Sequence, residues 1–152
     1  EAFNDGKNIK ARANMLATSC MGSIAFQKGL GAIHSLSHPV GAIYNTHHGL
    51  TNAVFMPYVL KRNEDAIKDK ITDLLKYLNL PNPSFQSFLD WIIDLRKLLN
   101  IPHTLNDLIN EDSKLEVMSE MALNDPSTAS NPIKLYEKDF LKLYQNSYEG
   151  IL

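Results

Sequence analysis

Apolar residues recur along this chain at the three-to-four-residue spacing of a helix face, and no alternating stretch of the kind a strand needs persists anywhere. Ala11 to Lys28 places Met15, Leu16, Cys20 and Ile24 at helical spacing. Small residues Ala17, Ser19, Gly22, Ser23 and Ala25 among them suit close packing against a neighbour. A second helix ends near His38, because Pro39 removes a backbone donor and disfavours the α conformation at the residue before it. Gly41 and Asn45-Thr46 then read as an irregular connection. Leu50 to Lys61 reads as a helix with Pro57 inside it, which predicts a kink or restart. Asp65 to Leu78 carries Ile67, Ile71, Leu74, Leu75 and Leu78 as an amphipathic stripe, with Lys and Asp residues on the solvated face. Pro81-Asn82-Pro83 breaks the chain, and Ser84 caps a helix from Phe85 to Leu99 with Phe88, Trp91, Ile92, Leu95 and Leu99 inward. Thr104 caps a short segment, Leu105 to Ile109. Asp112 or Ser113 opens Lys114 to Leu123, with Leu115, Met118, Met121 and Ala122 apolar. After a polar loop from Asn124 to Pro132, Asp139 to Tyr148 forms a last helix through Phe140, Leu141, Leu143 and Tyr144. The fold class is therefore all-α, an irregular bundle of about seven helices in one domain.

Composition narrows the classes. At 152 residues the chain is long enough for a real core. A net charge of -2 offers no electrostatic case for nucleic acid or an anionic membrane. The single cysteine, Cys20, excludes an internal disulfide framework and is expected as a buried small hydrophobe. No apolar run approaches the roughly 20 residues that span a bilayer, and the N-terminus shows no signal peptide, so the expected location is cytoplasmic. The chain opens on Glu1 rather than Met, which predicts a native start elsewhere.

Four of the five histidines fall between Gly31 and Gly49: His34, His38, His47 and His48. His34 and His38 stand four apart, on one face of a helix. His47-His48-Gly49 opens the next apolar segment, so a short loop folds the two pairs back towards one point. Neutral imidazoles there suit a divalent metal such as iron or zinc. A catalytic metal usually takes at least three protein ligands, and nothing else in the chain has a convincing ligand spacing, so the others must come from elsewhere. The competing reading is a set of incidental histidines on a metal-free helical interaction module. His103 stands outside the cluster as a loop or capping residue. Gly29-Leu30-Gly31 lacks the spacing and preceding strand of a phosphate loop.

The run His34-Ser35-Leu36-Ser37-His38-Pro39-Val40-Gly41, followed by His48-Gly49, resembles the signature of the iron-containing (group III) alcohol dehydrogenases. The similarity extends upstream through Met15 to Ser19 and Ala25 to Gly31. Downstream it takes in Gly49 to Ala53 and Pro57 to Leu60. It resumes at Ala122-Leu123-Asn124-Asp125-Pro126, Thr128 and Asn131-Pro132, and is thin from about Glu64 to Met121.

That resemblance implies the helical, metal-binding C-terminal domain of a two-domain dehydrogenase. In the family the metal is held by one aspartate and three histidines, and His34 and His48 match the last two histidines. His38 matches the histidine between metal and nicotinamide that helps relay the alcohol proton, and so touches both catalysis and cofactor. His47 has no ligand role. Phe26 either lines the cofactor cleft or packs in the core. The aspartate, the first histidine and the domain holding NAD or NADP are expected before Glu1. The implied metal is Fe2+, with Zn2+ the alternative, and the implied substrate pair is a small alcohol and its aldehyde or ketone. A homodimer stays open. Asn124 to Pro132 reads either as the active-site rim or as a plain connector. Glycerol dehydrogenase and dehydroquinate synthase share the two-domain plan, but the fourteen-residue separation of His34 and His48 argues against them.

Overall fold

The computed structural model describes residues 1–152 as seven α-helices without a strand: α1 (Ile9–Ala25), α2 (Ala32–Tyr44), α3 (His48–Tyr77), α4 (Phe85–Leu98), α5 (Asn106–Ile109), α6 (Leu115–Leu123) and α7 (Glu137–Glu149). Short 3-10 turns follow α1 at Phe26–Lys28 and α6 at Pro126–Ser130. The expected all-α bundle is what forms. No helix is long and apolar enough to cross a membrane.

The core lies where α2 meets α3 and α6, with α7 closing over α3 and α6. Leu36, Val40, Phe55, Leu105, Met118, Phe140 and Tyr144 are fully buried there. Each such side chain contributes about 1.5–3 kcal/mol by leaving water. Tyr144 packs edge-on against Phe55. Its hydroxyl donates to the Leu36 carbonyl at 2.7 Å, which satisfies the one polar atom it brings inside.

Both prolines expected to interrupt helices are accommodated. α2 runs six residues beyond His38, through Pro39, to Tyr44. α3 is one continuous helix of 30 residues through Pro57, not two helices meeting near Asn63. A proline inside a helix costs about 3 kcal/mol. In α2 the buried face of Ala32, Ser35, Leu36, Pro39 and Val40 offsets that cost, and in α3 so does the buried run Val54, Phe55, Tyr58 and Val59. Gly41 accordingly lies inside α2. The stops are instead asparagines. Asn45, Asn79, Asn100 and Asn110 take positive φ just beyond α2, α3, α4 and α5, a conformation asparagine tolerates better than other side chains.

Burial corrects several expectations. On α1, Met15, Leu16 and Ile24 are exposed, and so is Cys20, because no other helix of this chain covers that face. A Cβ built on Gly22 meets nothing, so the small-residue stripe has no neighbour here either. Leu74 on α3 and Leu78 just past its end are half exposed, and only Leu75 of that stripe is buried. On α4 the buried face is Phe85, Leu89, Ile92 and Arg96, while Trp91 stands outside and stacks on Phe88. Met121 on α6 is also exposed. Ser84 caps α4 as expected, accepting from the Ser87 N–H at 3.1 Å. Thr104 and Asp107 cap each other at the start of α5.

The N-terminus of α2 matters most for the site. Gly31 supplies no capping side chain, so the loop after α6 does the work. The Gly31 N–H donates to Ser130 Oγ at 3.1 Å and the Ala32 N–H to Asn131 Oδ1 at 3.2 Å. Asn131 in turn exchanges two 3.0 Å hydrogen bonds with the buried Asn63 of α3. Gly29 makes the approach feasible. Its φ of 100° favours glycine, and a Cβ there would lie 2.2 Å from Ser130 Cβ. Gly29→Ala is expected to destabilise the fold by about 1–3 kcal/mol. A urea melt with an unchanged midpoint would show that the loop can move aside freely.

Candidate functional site

α2 carries His34 and His38 one turn apart, their ring centroids 5.8 Å from one another. The left-handed turn at Asn45 reverses the chain, and α3 begins at once with His48. This brings the His48 ring to 5.2 Å from His34 and 5.3 Å from His38, stacked on the latter at 13°. His47, though adjacent in sequence, turns away. Its Nδ1 accepts from the Leu50 N–H at 3.3 Å and caps α3. His103 lies in a distant loop, where its carbonyl accepts from Tyr58 and Arg96.

Three residues not singled out by sequence organise the cluster. Asn52 stands one turn into α3 from His48. Its amide nitrogen lies 3.3 Å from His34 Nε2 and 3.0 Å from His48 Nε2. The Ser37 hydroxyl engages the amide oxygen, which turns the two amide hydrogens towards the imidazoles. Both Nε2 atoms therefore accept, and they converge on one point. Asp125 is the third. Its Oδ2 lies 2.7 Å from His38 Nδ1, and its Oδ1 accepts from the Ser127 N–H at 2.8 Å. The loop from Asn124 to Pro132 is thus at the rim of the cluster, not a plain connector. The Asp125 signal lay in the Ala122–Pro126 resemblance. For Asn52 the signals were the Gly49–Ala53 resemblance and its position four residues after His48.

The electrostatics keep these groups in defined states. Burial lowers the pKa of His34, and the neighbouring His48 and His38 lower it further, against smaller opposing effects of Asp125 and the Leu30 carbonyl. His34 is therefore neutral at neutral pH, the form with a free lone pair. Its Nδ1 is buried beside that carbonyl without completing a hydrogen bond. Burial by itself would raise Asp125, but hydrogen bonds from His38 and Ser127 outweigh it and hold the carboxyl below its ordinary value. Phe26 is exposed, not in the core, and sets its ring edge-on to His34 at 5.9 Å and 81°.

A divalent ion fits this donor set as far as it goes. Two imidazole Nε2 atoms face one point, at present taken by the Asn52 amide, and imidazole nitrogens suit iron or zinc. No set of three or more His, Cys, Asp or Glu side chains is arranged to hold a metal ion. The convergent pair His34 and His48 is thus fewer than the three or more protein ligands a catalytic metal usually takes.

Residues 1–148 match the Fe-containing alcohol dehydrogenase family, C-terminal. The chain is 33% identical to an NADPH-dependent butanol dehydrogenase of Clostridium saccharobutylicum, over 93% of this chain and 39% of that protein. It is 32% identical to a 1,3-propanediol dehydrogenase of Citrobacter freundii, over 94% and 39%. The crystal structure of a 1,3-propanediol oxidoreductase superimposes with a TM-score of 0.89 at 29% identity, covering 97% of this chain and 40% of that one. The chain thus spans about two-fifths of the length of these relatives. With the family matched along almost its whole length and the helices superimposing on a solved relative, this chain belongs to the iron-containing alcohol dehydrogenase family and corresponds to its C-terminal region.

Proposed function

We propose that this chain is the metal-binding helical domain of an NAD(P)-linked, iron-type alcohol dehydrogenase that interconverts a small alcohol and its aldehyde or ketone. The observation that carries the reading is the convergence of His34 Nε2 and His48 Nε2 on one point, with His38 beside them. His34 and His48 would hold the ion. An aspartate and a further histidine, together with the nucleotide-binding domain, would come from the rest of a longer chain. The uncovered apolar face of α1 supports such a partner, since Met15, Leu16, Met21 and Ile24 are left in solvent. The relatives named for butanol, 1,3-propanediol and 4-hydroxybutyrate support a short linear alcohol as substrate.

The chemistry supplied from outside the chain is Lewis acidity at the alcohol oxygen, from divalent iron or zinc, and hydride exchange with NAD or NADP. The chain's own residues do the remainder. His34 presents its lone pair because burial keeps the ring neutral. Asn52 pre-aligns the two Nε2 atoms on one point, and its amide would give up their lone pairs to the ion. His38 takes or relays the alcohol proton at Nε2, the ring nitrogen that Asp125 does not occupy. Phe26 shields one side of His34 and lines the cleft towards the cofactor.

The test is elemental analysis of the full-length protein purified anaerobically, with NAD- and NADP-linked oxidation of short alcohols assayed on the same preparation. Stoichiometric iron or zinc together with turnover is the expected result. Absence of both would point to a helical interaction module instead.

A further inference from the structure

Resting on that reading, we infer that Asp125 is the positioning residue for His38, fixing the tautomer and orientation in which the ring handles the substrate proton. Surface ion pairs are usually of little consequence, but this one is built differently. The carboxylate side chain is only 12% exposed, and its contact to His38 Nδ1 is 2.7 Å. One oxygen is reserved for the ring and the other is held by the Ser127 N–H, so the carboxylate cannot rotate freely. The loop that carries Asp125 is tied to the helix that carries His38. Thr128 Oγ1 lies 2.8 Å from Ser35 Oγ of α2, and Ser130 and Asn131 receive the first N–H groups of that helix. These ties fix a residue 87 positions away in sequence relative to the imidazole. With His48 stacked on its face, the His38 ring is held from two directions.

The consequence is chemical. An ionised carboxylate accepts only, so it selects the His38 tautomer with the proton on Nδ1. Nε2 is then left as the acceptor that a proton relay requires, and a positive charge gained there is balanced by the carboxylate. An asparagine in its place keeps an oxygen for the Ser127 N–H. It also offers an amide donor that stabilises the other tautomer, with Nε2 protonated.

The experiment compares full-length wild type, Asp125→Asn, Asp125→Glu, His38→Ala and the Asp125→Asn/His38→Ala double variant. Alcohol oxidation kinetics and metal content are measured on each. Asp125→Asn is expected to lower kcat by about 10- to 100-fold, the usual effect of removing a partner that orients a functional histidine. Its KM for the alcohol and its metal content should stay at wild-type values. Asp125→Glu should recover part of the loss, and adding Asp125→Asn to His38→Ala should lower kcat no further. An unchanged kcat in Asp125→Asn, or an undiminished loss on the His38→Ala background, would overturn the inference alone. Loss of metal in Asp125→Asn would overturn it too, by making Asp125 a support of the ligands. A wild-type protein without turnover would overturn the dehydrogenase reading and this role together.

Discussion

Full-length protein carrying His34→Ala or His48→Ala is expected to emerge from anaerobic purification without its metal and without alcohol-oxidising activity. Each substitution removes one of the two nitrogens that meet at the Asn52 amide, 3.3 and 3.0 Å away. In the proposed site the loss of a direct ligand should exceed the roughly 100-fold in affinity or rate that removing an outer partner costs. The neighbouring His47→Ala is the control. His47 caps α3 through the Leu50 N–H, so its loss should cost about 0.5–2 kcal/mol of stability while metal is retained. Elemental analysis beside the activity assay reads all three variants. Full metal and full turnover in His34→Ala or His48→Ala would remove these residues from the ligand set.

His38→Ala separates proton handling from metal holding. Its ring is within one turn of His34 and stacked on His48, yet its Nδ1 is committed to Asp125 and it makes no hydrogen bond with Asn52. Turnover should fall by about 10²–10⁴-fold, the range of a lost general acid–base group, with metal content unchanged. The side chain is 42% exposed, so its truncation leaves no cavity in the core and the fold should persist. Metal lost in parallel with turnover would make His38 a ligand. Undiminished turnover would leave it without a part in the reaction.

The arrangement gives the three histidines of one motif different partners. His34 and His38 share a helix face, and the helix start at His48 adds a third ring against both. What differentiates them is the next partner out. Asn52 faces the Nε2 atoms of His34 and His48, and Asp125 faces Nδ1 of His38. An amide donor faces an acceptor nitrogen, the kind that suits a cation. A carboxylate accepts only, so it selects the tautomer with the proton on the nitrogen it faces.

Much of this was legible from local sequence. Periodicity identified the helical class and the residues of α7 that face inward, because a 3.6-residue repeat is a property of the helix itself. Ser84 marked the start of α4 because capping is decided within one turn. The four-residue spacing of His34 and His38 put both rings on one face for the same reason. Other local signals misled. Pro39 suggested a helix end and Pro57 a kink or restart, while Asn79 and Asn110, which also follow helix ends at positive φ, went unread. The α1 stripe looked like a core face, although nothing in this chain packs over it.

The sequence by itself determined the helical fold class and, through motifs spread from Met15 to Pro132, the family, and it put forward His34, His38 and His48 as candidates for the chemistry. Helical periodicity and short motifs are carried by the local chain, so both could be read without the fold. Only the tertiary structure decided that two prolines sit inside helices, because the burial of their neighbours outweighs a local cost. It alone placed the loop after α6 over the start of α2, so that Ser130 and Asn131 cap a helix 99 residues upstream and Asp125 meets His38. It also aimed Asn52 at two imidazoles from different helices. Contacts between residues so far apart depend on how whole helix faces pack, and no window of local sequence carries that information.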